Sequence, residues 1–510
     1  MRRIGIDVGG TNTDAVLITE SGVARAVKTP TTEDVTGGVL KALQDLVAAA
    51  GEGLGRIDAV MLGTTHFTNA VVQRRGLVKT AALRIGLPAS AALPPFVDWP
   101  RDLAARVDGG VYMIEGGHEY DGRPLVPFDR GAMRDVAKRI ADSEVRAVGL
   151  AAIFSPLNAA CEAEAAEILR EEAPDLVVTR SHDLGRIGLL ERENATLLNA
   201  CLSDLARRTT RAFKEAMRDS GIEAPLYLTQ NDGTVMRAEF AEAFPVYSFA
   251  SGPTNSMRGA AYLTGLDDAM VADVGGTTTD VGHLRRGFPR EANSVVEIGG
   301  VRTLFRMPDL LSIGLGGGTL VEPEPLAIGP QSTGYRLPEE ALVFGGDRLT
   351  MTDIAVAAGL ARIGDGAGVA RLDKTLVEAA VARSSNMVAE AVDRMKVDAA
   401  PLPLIAVGGG AFLVPETIEG ISEVVRVEHQ AVANAVGAAI AQVSGEVDQV
   451  FSETSRQAAL DAAQRLAEER ALRAGADAAS LSTVEVEDLP IAYLPGHSLR
   501  VRVRVVGDIA

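Results

Sequence analysis

One short pattern occurs twice in this chain. Residues Ile4–Leu17 read IGIDVGGTNTDAVL, and residues Val271–Leu284 read VADVGGTTTDVGHL. In each copy an apolar run leads into Asp-Val-Gly-Gly-Thr and a second apolar run follows, which predicts a strand, a tight turn and a strand. A single Gly-Gly-Thr segment is typical of an ordinary β-turn. Two copies, with Asp7 and Asp273 at matching places 266 positions apart (273 − 7), indicate two similar half-molecules that face each other across a nucleotide.

The two predicted turns suit a phosphate ligand. They consist of Gly9, Gly10, Thr11 and Asn12 in the first copy and of Gly275, Gly276, Thr277 and Thr278 in the second. Adjacent glycines leave backbone N–H groups accessible to phosphate oxygens. A carboxylate before each turn would repel phosphate unless it holds Mg²⁺ and its water shell, so Asp7 and Asp273 are candidate metal-binding and catalytic residues. Asp14 and Asp280, which follow the turns, are expected to cap local backbone amides.

Length and composition limit the fold and the class of protein. A chain of 510 residues exceeds one hydrophobic core, and alternating strand and helix patterns predict an α/β protein with domains at 1–188, 189–445 and 446–510. The net charge of −18 argues against broad binding to nucleic acids or anionic membranes. The absence of a signal peptide pattern and of a long apolar run predicts a cytoplasmic protein. Cys161 and Cys201 have no metal-binding spacing.

Other polar and glycine-rich segments are candidate parts of a site. Thr64, Thr65, His66 and Asn69 follow a predicted strand, where α/β sheets usually bind ligands, and His66 is the best candidate for a general base. The alternative is that these residues cap the next helix. The glycines Gly316, Gly317 and Gly318 form either a second nucleotide loop or a tight bend. A third glycine run, Gly408, Gly409 and Gly410, follows a predicted strand.

The order of these motifs resembles that of the actin, sugar-kinase and heat-shock-chaperone ATPases. The resemblance implies two actin-like (ribonuclease H-like) lobes with a nucleotide cleft between them. It also implies that Gly408–Gly410 pass beneath the adenosine and that the small-residue helix Ala431–Ser444 crosses at the hinge. A long amphipathic helix, Leu189–Met217, is expected to bridge the halves.

A closer resemblance is to the hydantoinase/oxoprolinase family, specifically its ATP-binding A-type subunit. The segments that carry it are Ile4–Asp14, Gly63–Gly76, Leu190–Leu202, Thr229–Met236, Ser251–Tyr262, Val271–Val281 and Ile313–Thr319. In this family, residues that match Glu193 and Asn194 face the cleft, although a solvated helix face is the alternative. The sequence departs from the family in two respects. Long family members carry a further C-terminal domain that is not evident here. Many also have a His before the glycine loop, where this chain reads Asp309-Leu310-Leu311-Ser312.

The resemblance implies an enzyme that uses ATP and Mg²⁺ to activate an unreactive carbonyl. Transfer of the γ-phosphoryl group to the oxygen of a hydantoin, a lactam or 5-oxoproline turns that oxygen into a good leaving group. The expected function is ATP-dependent hydrolysis of cyclic amides, as an oligomer with a B-type partner subunit. The alternatives are an ATP-dependent carboxylase subunit acting on ketones, a small-molecule kinase, and an ATP-driven reactivating chaperone.

Overall fold

A computed structural model describes residues 1–31, 35–185, 187–292, 296–303, 305, 307–397, 399–451, 454–491 and 498–510. The strands are β1 Arg2–Val8, β2 Asn12–Thr19, β3 Gly22–Pro30, β4 Ala59–Thr64, β5 Thr80–Leu87, β6 Asp108–Glu115, β7 Ala147–Ala152, β8 Val177–Arg180, β9 Leu226–Thr229, β10 Val235–Arg237, β11 Ala269–Val274, β12 Thr279–Arg285, β13 Phe288–Pro289, β14 Val296–Ile298, β15 Val301–Thr303, β16 Leu310–Ile313, β17 Thr319–Pro323, β18 Leu326–Ser332, β19 Leu402–Val407, β20 Ile421–Val425, β21 Val443–Phe451, β22 Ser482–Pro490 and β23 Leu499–Gly507. The helices are α1 Val35–Ala50, α2 His66–Gln73, α3 Arg101–Val107, α4 Arg130–Ala141, α5 Ala160–Glu172, α6 Ser181–Leu184, α7 Leu189–Asp219, α8 Ala238–Ala243, α9 Ser251–Thr264, α10 Leu337–Glu340, α11 Met351–Ala357, α12 Lys374–Met395, α13 Ala433–Ile440 and α14 Arg456–Ala474.

Each copy of the repeated pattern forms a β-hairpin in its own sheet. The first hairpin, β1–β2, belongs to a sheet with the order β22-β23-β21-β10-β9-β4-β1-β2-β3. The second, β11–β12, belongs to a sheet with the order β13-β12-β11-β19-β20, in which β16 also pairs with β12. Apolar side chains of β1 and β2 pack on α1, whereas those of β11 and β12 pack with α11 and α12 in a separate core. The predicted α/β class and the two similar lobes are confirmed.

Two helices, α9 and α13, cross between the lobes at very short range. A Cβ atom built on Gly259 of α9 would stand 1.8 Å from the carbonyl oxygen of Ala433. A Cβ atom on Gly437 of α13 would stand 1.8 Å from the carbonyl oxygen of Asn255. On its other side α13 lies against β1, where a Cβ atom on Gly5 would be 2.1 Å from the carbonyl oxygen of Ala435. Glycine at these positions therefore permits backbones to touch where the two lobes join.

A third sheet, entirely parallel, forms a separate unit of the first half. Its strand order is β6-β5-β7-β8. The long helix α7 packs on β7 of this sheet and on α1, which lies behind the nine-stranded sheet. The predicted helix is confirmed, but its expected role is corrected: α7 joins the parallel sheet to the first lobe, and α9 and α13 cross between the two lobes.

The C-terminal strands complete the first sheet. Strands β21, β23 and β22 extend the sheet beyond β10, and α14 packs on them through buried alanines. The small-residue helix ends at Ile440 and a strand begins at Val443, so the predicted range of 431–444 was too long. The domain limits at 188 and 445 stay predictions. Strand pairings of the first sheet run across both of these positions.

Candidate functional site

The tips of the two hairpins touch each other. In the first turn the N–H of Gly9 donates to the carbonyl of Asn12 over 3.0 Å, and in the second the N–H of Gly275 donates to the carbonyl of Thr278 over 2.9 Å. A Cβ atom built on Gly276 would stand 2.3 Å from Oγ1 of Thr11. The predicted facing of the two turns is therefore observed, and glycine at position 276 allows their contact.

Both turns leave backbone donors available. Among the described residues no acceptor pairs with four N–H groups at the turn tips: those of Gly10, Thr11, Gly276 and Thr277. The first turn is braced from behind by Thr31, whose hydroxyl donates to the carbonyl of Gly9 over 2.9 Å. Fixed turns with outward N–H groups match the requirements of a phosphate cradle.

The aspartates that precede the turns are held by the two crossing helices. Asp7 accepts hydrogen bonds from Nδ2 of Asn255 at 3.2 Å and from Nδ2 of Asn434 at 2.9 Å. Against the rise caused by burial, the hydroxyl of Ser256, the next residue of α9, lowers the pKa of Asp273. Neighbouring residues of α9 thus act on one carboxylate in each lobe, and α13 contributes a second amide to Asp7.

These carboxylates lie in a crowded, negatively charged environment. Asp7 is directly opposite Asp14 across the first hairpin, and Asp273 is opposite Asp280 across the second. Burial raises the pKa of Asp7 to about 7, and the charges of Asp14 and Asp273 add to the rise. Burial likewise raises the pKa of Asp273 to about 6, with a contribution from Asp280. A bound cation would relieve this repulsion.

The donor set fits Mg²⁺ that is shared with a nucleotide. Mg²⁺ binds carboxylate oxygens and usually keeps several waters and phosphate oxygens as its other ligands. Within the described part of the chain, no three His, Cys, Asp or Glu side chains are grouped to hold a metal by themselves. Oδ1 of Asn255, buried beside Asp7, accepts no hydrogen bond from any described residue and is available to a bound water. Asp7 and Asp273 are therefore suitable ligands for a mostly hydrated ion.

The expected capping role of the two later aspartates is wrong. Oδ1 of Asp14 lies 2.5 Å from Nζ of Lys28, and Asp280 accepts a hydrogen bond from the hydroxyl of Ser312. Their partners are side chains on the third strand of each lobe, because Asp14 is paired in register with Lys28 and Asp280 with Ser312.

The loop of three glycines after β16 braces the second turn. The N–H groups of Gly317 and Gly318 donate to the carbonyls of Gly275 and Gly276 over 3.0 Å and 2.7 Å, and the N–H of Gly316 donates to Oγ1 of Thr319. These contacts agree with the tight bend that was one of the two alternatives for this loop. A direct contact of Gly316 or Gly317 with a nucleotide stays a prediction.

The loop of Gly408, Gly409 and Gly410 lies beside the end of β11. Gly408 has φ +88°, and a Cβ atom there would stand 2.4 Å from Oδ1 of Asp273. The N–H of Gly410 donates to the carbonyl of Val274 over 2.7 Å. This loop is thus fixed next to the second turn, and its adenosine role stays a prediction.

The polar cluster after β4 lies next to the first turn. Strand β4 is parallel to β1, with Gly63 beside Asp7 and Thr64 beside Val8. Oγ1 of Thr64 accepts from the N–H of His66 at 3.1 Å, and Asn69 donates to Oγ1 of Thr65 at 3.2 Å. Thr64 therefore satisfies the backbone N–H of His66, whereas Thr65, which precedes the first residue of α2, makes no side-chain cap. The substrate-binding roles of Thr64, Thr65 and Asn69 and the general-base role of His66 stay predictions.

Glu193 and Asn194 lie neither on a solvated face nor at an open cleft. Glu193 is 3% exposed and forms an ion pair with Arg84, whose Nε donates to Oε1 over 2.7 Å. Asn194 is 2% exposed, accepts from Nε1 of Trp99 over 2.7 Å and donates to the carbonyl of Arg302 over 3.0 Å. Neither the expected solvated helix face nor the expected open cleft is observed for these two residues. Their side chains instead anchor α7 to Arg84, Trp99 and Arg302.

Four residues near the aspartates were missed from the sequence: Asn255, Ser256, Asn434 and Lys28. Three lie on α9 or α13, in segments noted for their small residues, and contact the aspartates only because those helices cross between the lobes. Lys28 could have been found by extending the first hairpin to a third strand and aligning it with Asp14.

Replacement of Asp7 by asparagine should stabilise the metal-free protein at high pH. A carboxyl group with a raised folded pKa stabilises the fold fully below about pH 4, and this contribution is lost as the pH rises towards about 7. Asparagine does not titrate. Once the amide of Asn255 flips, its Oδ1 can accept a hydrogen bond from the new amide at position 7. The free energy of unfolding of Asp7→Asn, minus that of the wild type, should therefore increase by about 3 kcal/mol from pH 5 to pH 8. Urea unfolding in EDTA measures this, and an equal difference at both pH values would contradict it.

The two-lobed arrangement with facing hairpins is the actin-like fold. Two solved structures share it across the whole chain. The crystal structure of ATP-dependent caprolactamase from Pseudomonas jessenii superposes with a TM-score of 0.78 at 19% identity, covering 100% of this chain and 88% of that one. The nucleotide-free structure of acetone carboxylase superposes with a TM-score of 0.70 at 17% identity, covering 100% and 88%.

The chain belongs to the hydantoinase/oxoprolinase family. Residues 3–173 match its N-terminal region and residues 192–447 match its hydantoinase/oxoprolinase domain. Similar proteins include the caprolactamase subunit alpha of Pseudomonas jessenii, 25% identical over 72% of this chain. The acetophenone carboxylase gamma subunit of Aromatoleum aromaticum is 28% identical over 70% of this chain. The matches span 55% and 53% of the lengths of these two relatives.

Each helix in the described part of the chain is too short or too polar to cross a membrane.

Proposed function

We propose that this chain is the ATP-binding subunit of an enzyme that hydrolyses cyclic amides after activating the carbonyl group by phosphoryl transfer. One observation carries the proposal: the two glycine turns meet tip to tip, each preceded by a buried aspartate that the crossing helices hold in place. This geometry supplies N–H donors and carboxylates from both lobes to one phosphate chain.

The proposed chemistry requires positioning and charge neutralisation more than covalent protein chemistry. The bond between the γ-phosphorus and the oxygen that bridges to ADP breaks, and a bond to the carbonyl oxygen of the amide forms. Water then adds to the activated carbon, and the ring nitrogen leaves as the amine, which opens the ring C–N bond and leaves an acyl phosphate. A second water releases phosphate from that acyl phosphate and leaves the carboxylate. When bound, Mg²⁺ neutralises phosphate charge. The N–H groups of the two turns hold the phosphate oxygens, while Asp7 and Asp273 hold the hydrated ion.

The acceptor end of the site is proposed at the start of α2. Thr64, Thr65, His66 and Asn69 follow β4, which lies directly beside β1, so these residues border the first phosphate turn. His66 is at the first position of α2 and is the proposed base for the attacking water. A substrate carbonyl at this place would lie close to the γ-phosphate.

A partner subunit and a cyclic amide are supported by the relatives. The caprolactamase relative is described as subunit alpha, and acetophenone carboxylase as containing a gamma subunit. We therefore propose a B-type partner and an oligomeric enzyme. The carboxylase relative also supports a second candidate, activation of a ketone enol oxygen before carboxylation.

Phosphate release distinguishes these functions. The chain, alone and with its copurified partner, is supplied with Mg²⁺ and ATP and tested with hydantoins, lactams, 5-oxoproline, and ketones with bicarbonate. We expect at least tenfold stimulation by one cyclic amide, with equal amounts of phosphate and ring-opened product. The Asp273→Asn variant serves as the control for phosphate released by contaminants.

The outcomes separate the candidates clearly. Stimulation by ketones and bicarbonate alone would replace the hydrolase by the carboxylase. ATP binding without stimulation by any compound, in the presence of the partner, would contradict both.

A further inference from the structure

The two lobes carry residues of different charge at one matched position of the strand beside each hairpin. In the first lobe, β1, β2 and β3 place Asp7 opposite Asp14 and Asp14 opposite Lys28. In the second lobe, β11, β12 and β16 place Asp273 opposite Asp280, and Asp280 opposite Ser312. The equivalent third-strand residue is thus a lysine in one lobe and a serine in the other.

Lys28 is only partly buried, although it pairs with a buried carboxylate. Its Nζ is 2.5 Å from Oδ1 of Asp14, yet its side chain is 32% exposed, whereas that of Asp14 is 4% exposed. The hairpin next to Lys28 touches the second hairpin at its tip, where Gly276 meets Thr11. The ammonium group is therefore accessible to a ligand beside the first hairpin.

The charges around the turns create a need for such a cation. Asp7, Asp14, Asp273 and Asp280 bring four carboxyl groups to the bases of the two turns. A triphosphate adds further negative charge, and one Mg²⁺ does not balance the sum. Lysine has a flexible stem and three donors, so its ammonium group can turn from Asp14 to a phosphate oxygen while remaining near both.

We propose that Lys28 binds the terminal phosphate of the nucleotide and so makes the site selective for ATP over ADP. In the free protein Asp14 holds the ammonium group in position, and on nucleotide binding the group donates to a γ-phosphate oxygen. Ser312, the equivalent residue of the second lobe, stays hydrogen-bonded to Asp280 and is uncharged. The inference rests on the ATP-dependent function proposed above and assigns its phosphate recognition to the first lobe.

Nucleotide binding tests this assignment without any amide substrate. Calorimetric titrations compare Mg²⁺ with a non-hydrolysable ATP analogue against Mg²⁺ with ADP, for the wild type and for Lys28→Gln. Because hydrogen bonds to charged groups are strong, we expect the variant to lose about tenfold to a hundredfold in affinity for the analogue. ADP affinity should change less than about threefold on the same reasoning. Ser312→Ala, the matched variant in the other lobe, should preserve the ratio of the two affinities.

A second variant separates phosphate contact from simple neutralisation of Asp14. Removal of Lys28 alone leaves a buried carboxylate without its partner, which can destabilise the chain. The double variant Asp14→Asn/Lys28→Gln removes both charges. If its affinity for the analogue stays low, Lys28 contacts the phosphate. Recovery of wild-type affinity, or an equal loss for ADP and the analogue, would overturn the proposal.

These results are independent of the cyclic-amide assignment. A wild-type protein that binds both nucleotides but releases no phosphate with any amide would contradict the hydrolase, while the affinity ratio would still decide the role of Lys28. A wild-type protein that binds neither nucleotide would contradict both.

Discussion

Asp273→Asn should lower the rate of phosphate release from Mg²⁺–ATP by about 10²–10³-fold, the range found when one preorganised electrostatic group is removed from a catalytic site. The substitution keeps the shape of the side chain and its contact with the hydroxyl of Ser256. It removes the negative charge that would hold the hydrated ion in the second lobe. Steady-state phosphate release at saturating substrate, with thermal unfolding as a check on folding, measures the effect.

The matched control for this variant is on the same hairpin. Asp280→Asn removes the carboxylate directly opposite Asp273, which is hydrogen-bonded to Ser312. We expect less than a tenfold change, because Asp280 is already bound to the hydroxyl of Ser312 within its own lobe. Equal losses in the two variants would mean that the hairpin acts through charge alone. Full turnover by Asp273→Asn would reject its assignment as a metal ligand.

Gly437→Ala should destabilise the protein by about 3 kcal/mol or more, at the upper end of the range for overpacked sites. The new Cβ atom would stand 1.8 Å from the carbonyl oxygen of Asn255, a backbone atom of α9 that no rotamer change can move. The better helix propensity of alanine contributes at most about 1 kcal/mol in the opposite direction, so the steric clash decides the sign. Displacement of Asn255 should also weaken nucleotide binding, because its side chain holds Asp7.

A glycine of the other crossing helix provides the control. At Gly252, on α9, the nearest atom to a new Cβ would be Cγ2 of Thr65 at 3.8 Å, an ordinary contact. Gly252→Ala should therefore cost much less, about 1 kcal/mol or below, since its only new strain is that of a Cβ atom before Pro253. Urea denaturation of both variants measures the difference, and equal stabilities would show that the helices separate at no cost.

The parts of the fold that depend on local pattern were predictable from the sequence. Both hairpins form at the predicted positions, because an apolar run, a Gly-Gly-Thr turn and a second apolar run specify a strand, a turn and a strand within about fifteen positions. The pairing of the two copies across a cleft followed from their repetition. The extent of the small-residue helix was misjudged, since Val443 continues the apolar pattern but joins a strand of the first sheet.

The residues that the sequence could not place depend on distant contacts. Glu193 is on the predicted helix, but its burial is set by Arg84, which is 109 positions away. Asn434 reaches Asp7 across 427 positions. Periodicity reveals that a helix has an apolar face; it does not reveal which partner covers that face, so a paired buried residue and a cleft residue have the same pattern.

The first sheet is assembled from both ends of the described chain. Its earliest strands lie within residues 2–30, and its last, β21 to β23, lie within residues 443–507. During translation, β10 would present an unpaired edge on a nascent chain until the ribosome has released these last strands. The second lobe, whose sheet strands all lie between residues 269 and 425, is complete earlier. The lobe whose strands begin first is thus the one that finishes folding last.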